Sequence, residues 1–105
     1  MKRRLRIRVS RLAERDLDQI WYETAKRSGS EDLATAVIES ITDLFPLFAS
    51  NPEAGRARPE IGADVRSFPV EKYFIYYKTG DGRVVISRIL HGMRDQKSAF
   101  GTSIG

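Results

Sequence analysis

Tyr73-Phe74-Ile75-Tyr76-Tyr77-Lys78-Thr79-Gly80-Asp81-Gly82-Arg83-Val84-Val85-Ile86-Ser87-Arg88-Ile89-Leu90 reads as two strands joined by a tight turn. Aromatic and β-branched residues fit a pleated surface, and Thr79-Gly80-Asp81-Gly82 supplies residues that tolerate the positive φ of a short hairpin. Strands are predicted at 73–78 and 83–90, and Val65-Arg66-Ser67-Phe68 upstream adds a third at 65–68. In the last strand an unbroken period of two puts Arg88 on one face with Val84, Ile86 and Leu90. A guanidinium facing burial needs a carboxylate, for which Asp16, Asp64 and Asp95 are available.

Before these strands the period changes. Leu5, Ile7 and Val9 alternate with Arg4, Arg6 and Arg8, which places the aliphatic residues on one strand face and the arginines on the other. Ser10 then fits a helix N-cap, and Ala13, Leu17, Ile20, Trp21 and Thr24 recur at helical spacing until Gly29, a C-cap residue. Trp21 and Tyr22 are expected to pack, their polar tips meeting water or backbone. A second helix starts near Ser30 or Glu31, with Ala34, Val37, Ile38, Ile41, Leu44, Phe45 and Phe48 as its apolar stripe. Pro46 removes one helical hydrogen bond and crowds the carbonyl of Thr42, so a kinked helix reaching about Ala49 is predicted.

Asn51-Pro52-Glu53-Ala54-Gly55 punctuates the chain and releases it into a basic loop, Arg56-Ala57-Arg58-Pro59-Glu60. The order is therefore β-α-α-β-β-β, an α+β domain in which a helical hairpin packs on a small, largely antiparallel sheet. Its other sheet face is open and is where function is expected. A single domain over 1–97 is predicted, with 98–105 a tail that stays mobile unless something holds it.

Length and composition agree with one core, since the 105 residues are 41% hydrophobic and 30% charged. With no cysteine and one histidine, disulfides are excluded and a zinc site is improbable. Neither a phosphate-cradling Gly-rich loop ending in Lys-Ser or Lys-Thr nor a G-x-S-x-G elbow is present. No eighteen consecutive apolar residues occur and Arg6 and Arg8 interrupt any leader-like run, so a cytoplasmic protein is expected. A net charge of +4 points to an acidic partner, either nucleic acid or a protein segment.

Candidate functional residues lie in the C-terminal half. Arg56, Arg58, Arg66, Arg88 and Arg94 either converge to grip carboxylates or phosphates, or stand apart as separate surface cations. His91 offers either an acid/base group or a structural and partner contact. Tyr73, Phe74, Tyr76 and Tyr77 cover both faces of one strand, as core residues or as a stacking surface for bases.

Four ordered segments carry a resemblance. They are Val9-Ser10-x-x-Ala13-x-x-Asp16-Leu17-x-x-Ile20-Trp21, Asn51-Pro52-x-x-Gly55-Arg56-x-Arg58-Pro59-Glu60, Val65-Arg66-Ser67-Phe68-Pro69-Val70-x-x-Tyr73-x-Ile75-x-Tyr77, and Ile89-Leu90-His91-Gly92-x-Arg94-Asp95. Together they resemble the ParE toxins of the RelE/ParE superfamily, found in bacterial type II toxin–antitoxin systems. The resemblance implies the fold inferred above and a toxin that poisons DNA gyrase and blocks replication by binding, without catalysis, cofactor or metal. It also implies a ParD-like antitoxin with a ribbon-helix-helix DNA-binding part and a flexible acidic tail that folds onto the toxin in a hetero-oligomer. The partner-binding set is then Arg56, Arg58, Arg66, Tyr73, Arg88, His91 and Arg94, with no catalytic residue. The alternative on the same fold is a RelE-like ribosome-dependent mRNA endonuclease, whose cations Arg66, Arg88, His91 and Arg94 would imitate in part. Trp21-Tyr22 stand adjacent where the family has its tyrosine two places later, and Pro46 interrupts a normally smooth helix.

Overall fold

The computed structural model describes residues 4–92. Their order is β1 (Arg6–Val9), α1 (Arg11–Ser28), α2 (Glu31–Thr42), α3 (Phe45–Ser50), a 3-10 turn (Pro52–Ala54), β2 (Arg56–Ala57), β3 (Val65–Val70), β4 (Tyr73–Gly80) and β5 (Arg83–His91). The sheet runs β1-β5-β4-β3-β2, with β1 parallel to β5 and every other pair antiparallel. The α+β plan of a helical hairpin on a largely antiparallel sheet is thus what the chain builds. The segment 98–105 and residues Arg94 and Asp95 lie outside the described residues.

Local signals place the helices. The Ser10 hydroxyl accepts from Ala13 N–H, Ser30 accepts from Leu33 N–H, and Gly29 closes α1 at φ 72° with its N–H on the Ala25 carbonyl. One continuous kinked helix is not formed. α2 stops at Thr42, the residue whose carbonyl Pro46 would crowd, and α3 restarts with Pro46 in its first turn, where a missing N–H is harmless. The stretch 31–50 is long and apolar enough to cross a bilayer if straight. Here it is divided in two, with Ala34, Ile41, Phe45, Phe48 and Ala49 buried in the protein's own core.

That core lies between the helices and one sheet face. Ala13, Ile20, Ile41, Phe45 and Phe48 meet Tyr73, Ile75, Tyr77, Val84, Ile86 and Ile89. Phe48 stacks on Tyr77 at 4.3 Å between centroids and meets Phe68 edge-on at 5.4 Å. Across the hairpin, the Trp21 indole N–H donates to the Thr35 hydroxyl, a side-chain partner rather than the water or backbone expected. Tyr22, expected to pack, is instead exposed.

Two further expectations change at the sheet. Tyr76 pairs with Arg88 while Tyr77 pairs with Ile86, so Ser87 is an extra residue in β5 and forms a bulge. A bulge reverses facing: Val84 and Ile86 join the helix-side core, whereas Leu90 joins Val65 and Tyr76 on the opposite side. Arg88, paired with Tyr76, therefore keeps the face of Leu90 but does not share one with Val84 and Ile86. The opposite face is also less open than expected, because the segment after β2 folds over it and packs Ile61 against Val65, Tyr76 and Leu90. The basic loop contains β2, which pairs Arg56 with Ser67 and Ala57 with Arg66.

Candidate partner-binding site

The structure divides the predicted site residues among three places. Arg56, Arg58 and Arg66 gather at the β2–β3 edge; Arg88 stands on the bulged part of β5; Tyr73 and His91 meet at the far end of the sheet. Arg56 and Arg88 fall in one cross-sheet row, Arg56-Ser67-Tyr76-Arg88. Three strand spacings of about 4.8 Å separate their backbones, and Arg88 is turned to Asp16. Arg94 lies outside the described residues.

At the β2–β3 edge the second segment of the motif acquires its physical reason. Tyr77 donates its phenol to the Pro52 carbonyl (2.8 Å) and accepts the Gly55 N–H (2.7 Å), while Arg66 donates to the Gly55 carbonyl (2.8 Å). A Cβ on Gly55 would come within 2.6 Å of the Tyr77 hydroxyl and 2.9 Å of the Ser67 carbonyl, so glycine is required by close approach. Burial pushes the Tyr77 phenol above its ordinary pKa, against the opposing pull of the Gly55 N–H and Arg66. Arg58 lies on the other sheet face, with Nε on Glu60 (2.7 Å), Nη1 on the Ser67 hydroxyl (3.1 Å) and its guanidinium carbon 5.8 Å from the Tyr76 ring centroid. The Glu60 hydrogen bond raises Arg58 and holds the Glu60 carboxyl below its usual range. Burial raises the Tyr76 phenol, partly opposed by Arg58. Arg56 is exposed.

At the bulge, β1 has ended and the outer edge of β5 needs other partners. Ser10 donates its hydroxyl to the Ser87 carbonyl (2.9 Å), its N–H to Ile86, and Asp16 accepts the Ile89 N–H (2.9 Å). Asp16 also takes Arg88 bidentately, at 2.8 Å from Nε and 3.1 Å from Nη2. Of the carboxylates the sequence offers, Asp16 is a partner, and its hydrogen bond raises the Arg88 pKa; Asp95 lies outside the described residues. One helical carboxylate replaces a missing strand.

Beyond that seal, α1 and the end of β5 enclose a groove of about 280 Å³ lined by Asp16, Gln19, Ile20, Glu23, Arg27, Tyr73, Ile89, Leu90 and His91. His91 meets Tyr73 edge-on, with centroids 5.7 Å apart, and the Lys72 ammonium lies 5.9 Å from the Tyr73 centroid. Of the groove's lining, Tyr73 and His91 are candidates from the sequence, whereas the helical wall is not. Gln19, Glu23 and Arg27 recur every four residues, and that spacing marks one polar face of α1. Among the described residues no group of three metal-ligating side chains occurs.

Residues 7–96 match the family model described as ParE toxin of type II toxin–antitoxin system, parDE. The chain belongs to the ParE toxin family. Among its relatives are two Caulobacter vibrioides proteins. Toxin ParE1 is 30% identical over 94 residues, covering 90% of this chain and 96% of the relative; Toxin ParE3 is 28% identical over 86 residues, covering 82% and 85%. A solved chromosomal ParDE system from P. aeruginosa superposes with a TM-score of 0.73 at 20% identity, covering 83% of this chain and 95% of that one. The RelBE2 toxin–antitoxin complex of Mycobacterium tuberculosis gives 0.58 at 23%, covering 85% and 99%. The fold is therefore common to ParDE and RelBE structures, while the family match distinguishes this ParE chain. Both locks, Gly55–Tyr77–Arg66 and Asp16–Arg88, lie within the matched residues.

Proposed function

We propose that this ParE-family toxin acts in the bacterial cytoplasm by binding DNA gyrase, trapping cleaved DNA and blocking replication, without catalysing a reaction itself. The observation that carries binding over phosphodiester cleavage is the commitment of the cations. Arg88 is held by Asp16, Arg66 by the Gly55 carbonyl, and Arg58 by Glu60 and Ser67. His91 stands across the sheet from the β2–β3 arginines, against Tyr73. A phosphate-cleaving centre needs its acid, base and cations within hydrogen-bond reach of one scissile phosphate; this spread supports a different mode of action.

Neutralisation by a ParD-like antitoxin follows from the same reading, in a hetero-oligomer. Both solved structures named above are of toxin–antitoxin systems. An acidic segment that folds on docking gains on-rate from the +4 charge and affinity from apolar burial. Half-buried His91 at the groove and exposed Arg56 are the accessible described members of the candidate set; Tyr73, Arg58, Arg66 and Arg88 support them from within the fold. Arg56→Glu is expected to weaken antitoxin binding several-fold and to flatten its salt dependence. Supercoiling and DNA-cleavage assays with purified gyrase, run beside a ribosome-dependent mRNA cleavage assay, test the target. Gyrase-dependent DNA cleavage with intact mRNA is expected; mRNA cleavage with unaffected gyrase would reject this reading in favour of the RelE-like one.

A further inference from the structure

The two sheet faces differ in charge. Leu5, Val9, Tyr77, Val84 and Ile86 belong to the helix-side core, so the alternate residues Arg6, Arg8, Lys78, Arg83 and Val85 face the other way. Register sets Arg6 beside Arg83, and Val85 between Arg8 and Lys78. With strands about 4.8 Å apart and alternate residues about 6.7 Å apart along a strand, four cations occupy an area of roughly 10 by 7 Å. Arg6, Arg8 and Arg83 are exposed and Lys78 is half-buried. The ion pairs among the described residues are Arg58–Glu60 and Arg88–Asp16, so none of these four has a carboxylate partner there. Asp64 and Asp81 stand in the flanking loop and turn rather than on the face. Like charges set opposite each other on neighbouring strands repel, and an external polyanion relieves that repulsion.

We propose that this end of the sheet, Arg6, Arg8, Lys78 and Arg83, binds the phosphate backbone of duplex DNA. A row of cations about 6.7 Å apart along β1 can meet successive anionic groups. The surroundings select the occupant. The exposed large apolar residues Leu12, Tyr22, Leu33 and Leu47 lie on the helices, and Ile7 points to the helix side. A peptide that folds on docking would find only half-buried Val85 to cover here. Single-stranded nucleic acid needs aromatic platforms, yet Tyr76 is buried with Arg58 across its ring and Phe74 packs near Leu90 at the far end of the face. A cationic, non-aromatic, flat face fits the backbone of a duplex without reading its sequence. The assignment does not depend on which target the toxin attacks.

The test is fluorescence anisotropy of a labelled 20-base-pair duplex of random sequence with the full chain, from 50 to 200 mM salt. The logarithm of the binding constant should fall with the logarithm of salt at a slope of about −3 to −4, at about 0.9 per neutralised phosphate. Arg6→Gln with Arg8→Gln should reduce that slope by about two and weaken binding at 50 mM by about tenfold or more. Arg15→Gln with Lys26→Gln, an equal charge change on the exposed face of α1, should leave both within about twofold if the sheet face is the site. Should the β1 pair impair folding, Lys78→Gln with Arg83→Gln carries the same expectation. A flat salt response, equal losses from the α1 pair, tighter binding of a single strand of the same length, or displacement by polyglutamate at equal charge would overturn the assignment.

Discussion

Three arginines of the C-terminal half, Arg58, Arg66 and Arg88, and the arginines of β1 have opposite fates. Arg58, Arg66 and Arg88 each end on a named partner and are at least partly buried, whereas Arg6 and Arg8 are exposed and set against another cation or Val85. A basic sequence thus contains two populations. One closes the sheet, sealing the outer edge of β5 and tying residues 52–55 to β4. The other leaves charge on the surface for something outside the chain. Net charge alone cannot separate them, because it counts both alike.

The comparison breaks most readily at Asp16. Asp16→Ala would take the bidentate carboxylate from Arg88 and the acceptor from the Ile89 N–H, at side-chain exposures of only 18% for Arg88 and 15% for Asp16. Losing one partner of such a pair is expected to cost about 2–4 kcal/mol. Urea denaturation measures this, and a loss below about 1 kcal/mol would mean that water replaces the carboxylate at the edge. Next comes Gly55→Ala. The added methyl meets Tyr77 and a backbone carbonyl, and overpacking of this kind costs about 1–3 kcal/mol. Adding Tyr77→Phe should not restore stability, because the ring carbon Cε1 at 2.8 Å and the Ser67 carbonyl at 2.9 Å still block the methyl.

Tyr77→Phe sharpens the same contrast through pH. It removes the bonds to Pro52 and Gly55 and leaves their buried backbone groups short of a partner, a loss of about 1–3 kcal/mol at neutral pH. Burial raises the folded-state pKa of this phenol above the unfolded value near about 10. The native state therefore favours the neutral form, and that contribution is complete below about pH 10 and is lost as pH rises through the raised folded value. Thermal melts from pH 8 to 11 should show the gap between wild type and Tyr77→Phe narrowing at the alkaline end. A constant gap would place the hydroxyl in contact with solvent.

Much of this was legible in the residues, and the failures share a cause. Ser10, Gly29, Ser30 and the Asp81-Gly82 turn act locally, so their chemistry announced caps and a hairpin; Asp81 and Gly82 do take positive φ, at 52° and 74°. Asp16 was among three candidates for Arg88 because burial of a guanidinium demands an acid. The bulge at Ser87 was invisible, since no glycine or proline marks it and the period of two was assumed unbroken. Its determinants are Ser10 and Asp16, more than seventy residues away in sequence. β2 was hidden for a similar reason: two residues make no pattern, and the strand exists because Tyr77 and Arg66 hold Gly55 against the sheet. Glu71 at φ 54° carries no signal either, as glutamate is not a residue that turn chemistry selects there. At the site, the arginine, aromatic and histidine residues of the C-terminal half carry a chemical signal, while the polar α1 wall of Gln19, Glu23 and Arg27 carries only its helical spacing.

The smallest expected effect is the most discriminating for the two populations. Arg6→Gln, Arg8→Gln and Arg83→Gln touch side chains with no carboxylate partner among the described residues, so each should change unfolding free energy by no more than about 0.5 kcal/mol. The sign is expected to be stabilising for Arg6→Gln and Arg83→Gln, because each removes one of two like charges placed opposite each other on β1 and β5. Added salt should shrink that gain, since screening already weakens repulsion between exposed charges. A clear destabilisation by any of the three would show that the surface arginines also hold the sheet together, and the division between structural and available cations would fail where it is drawn, at β1.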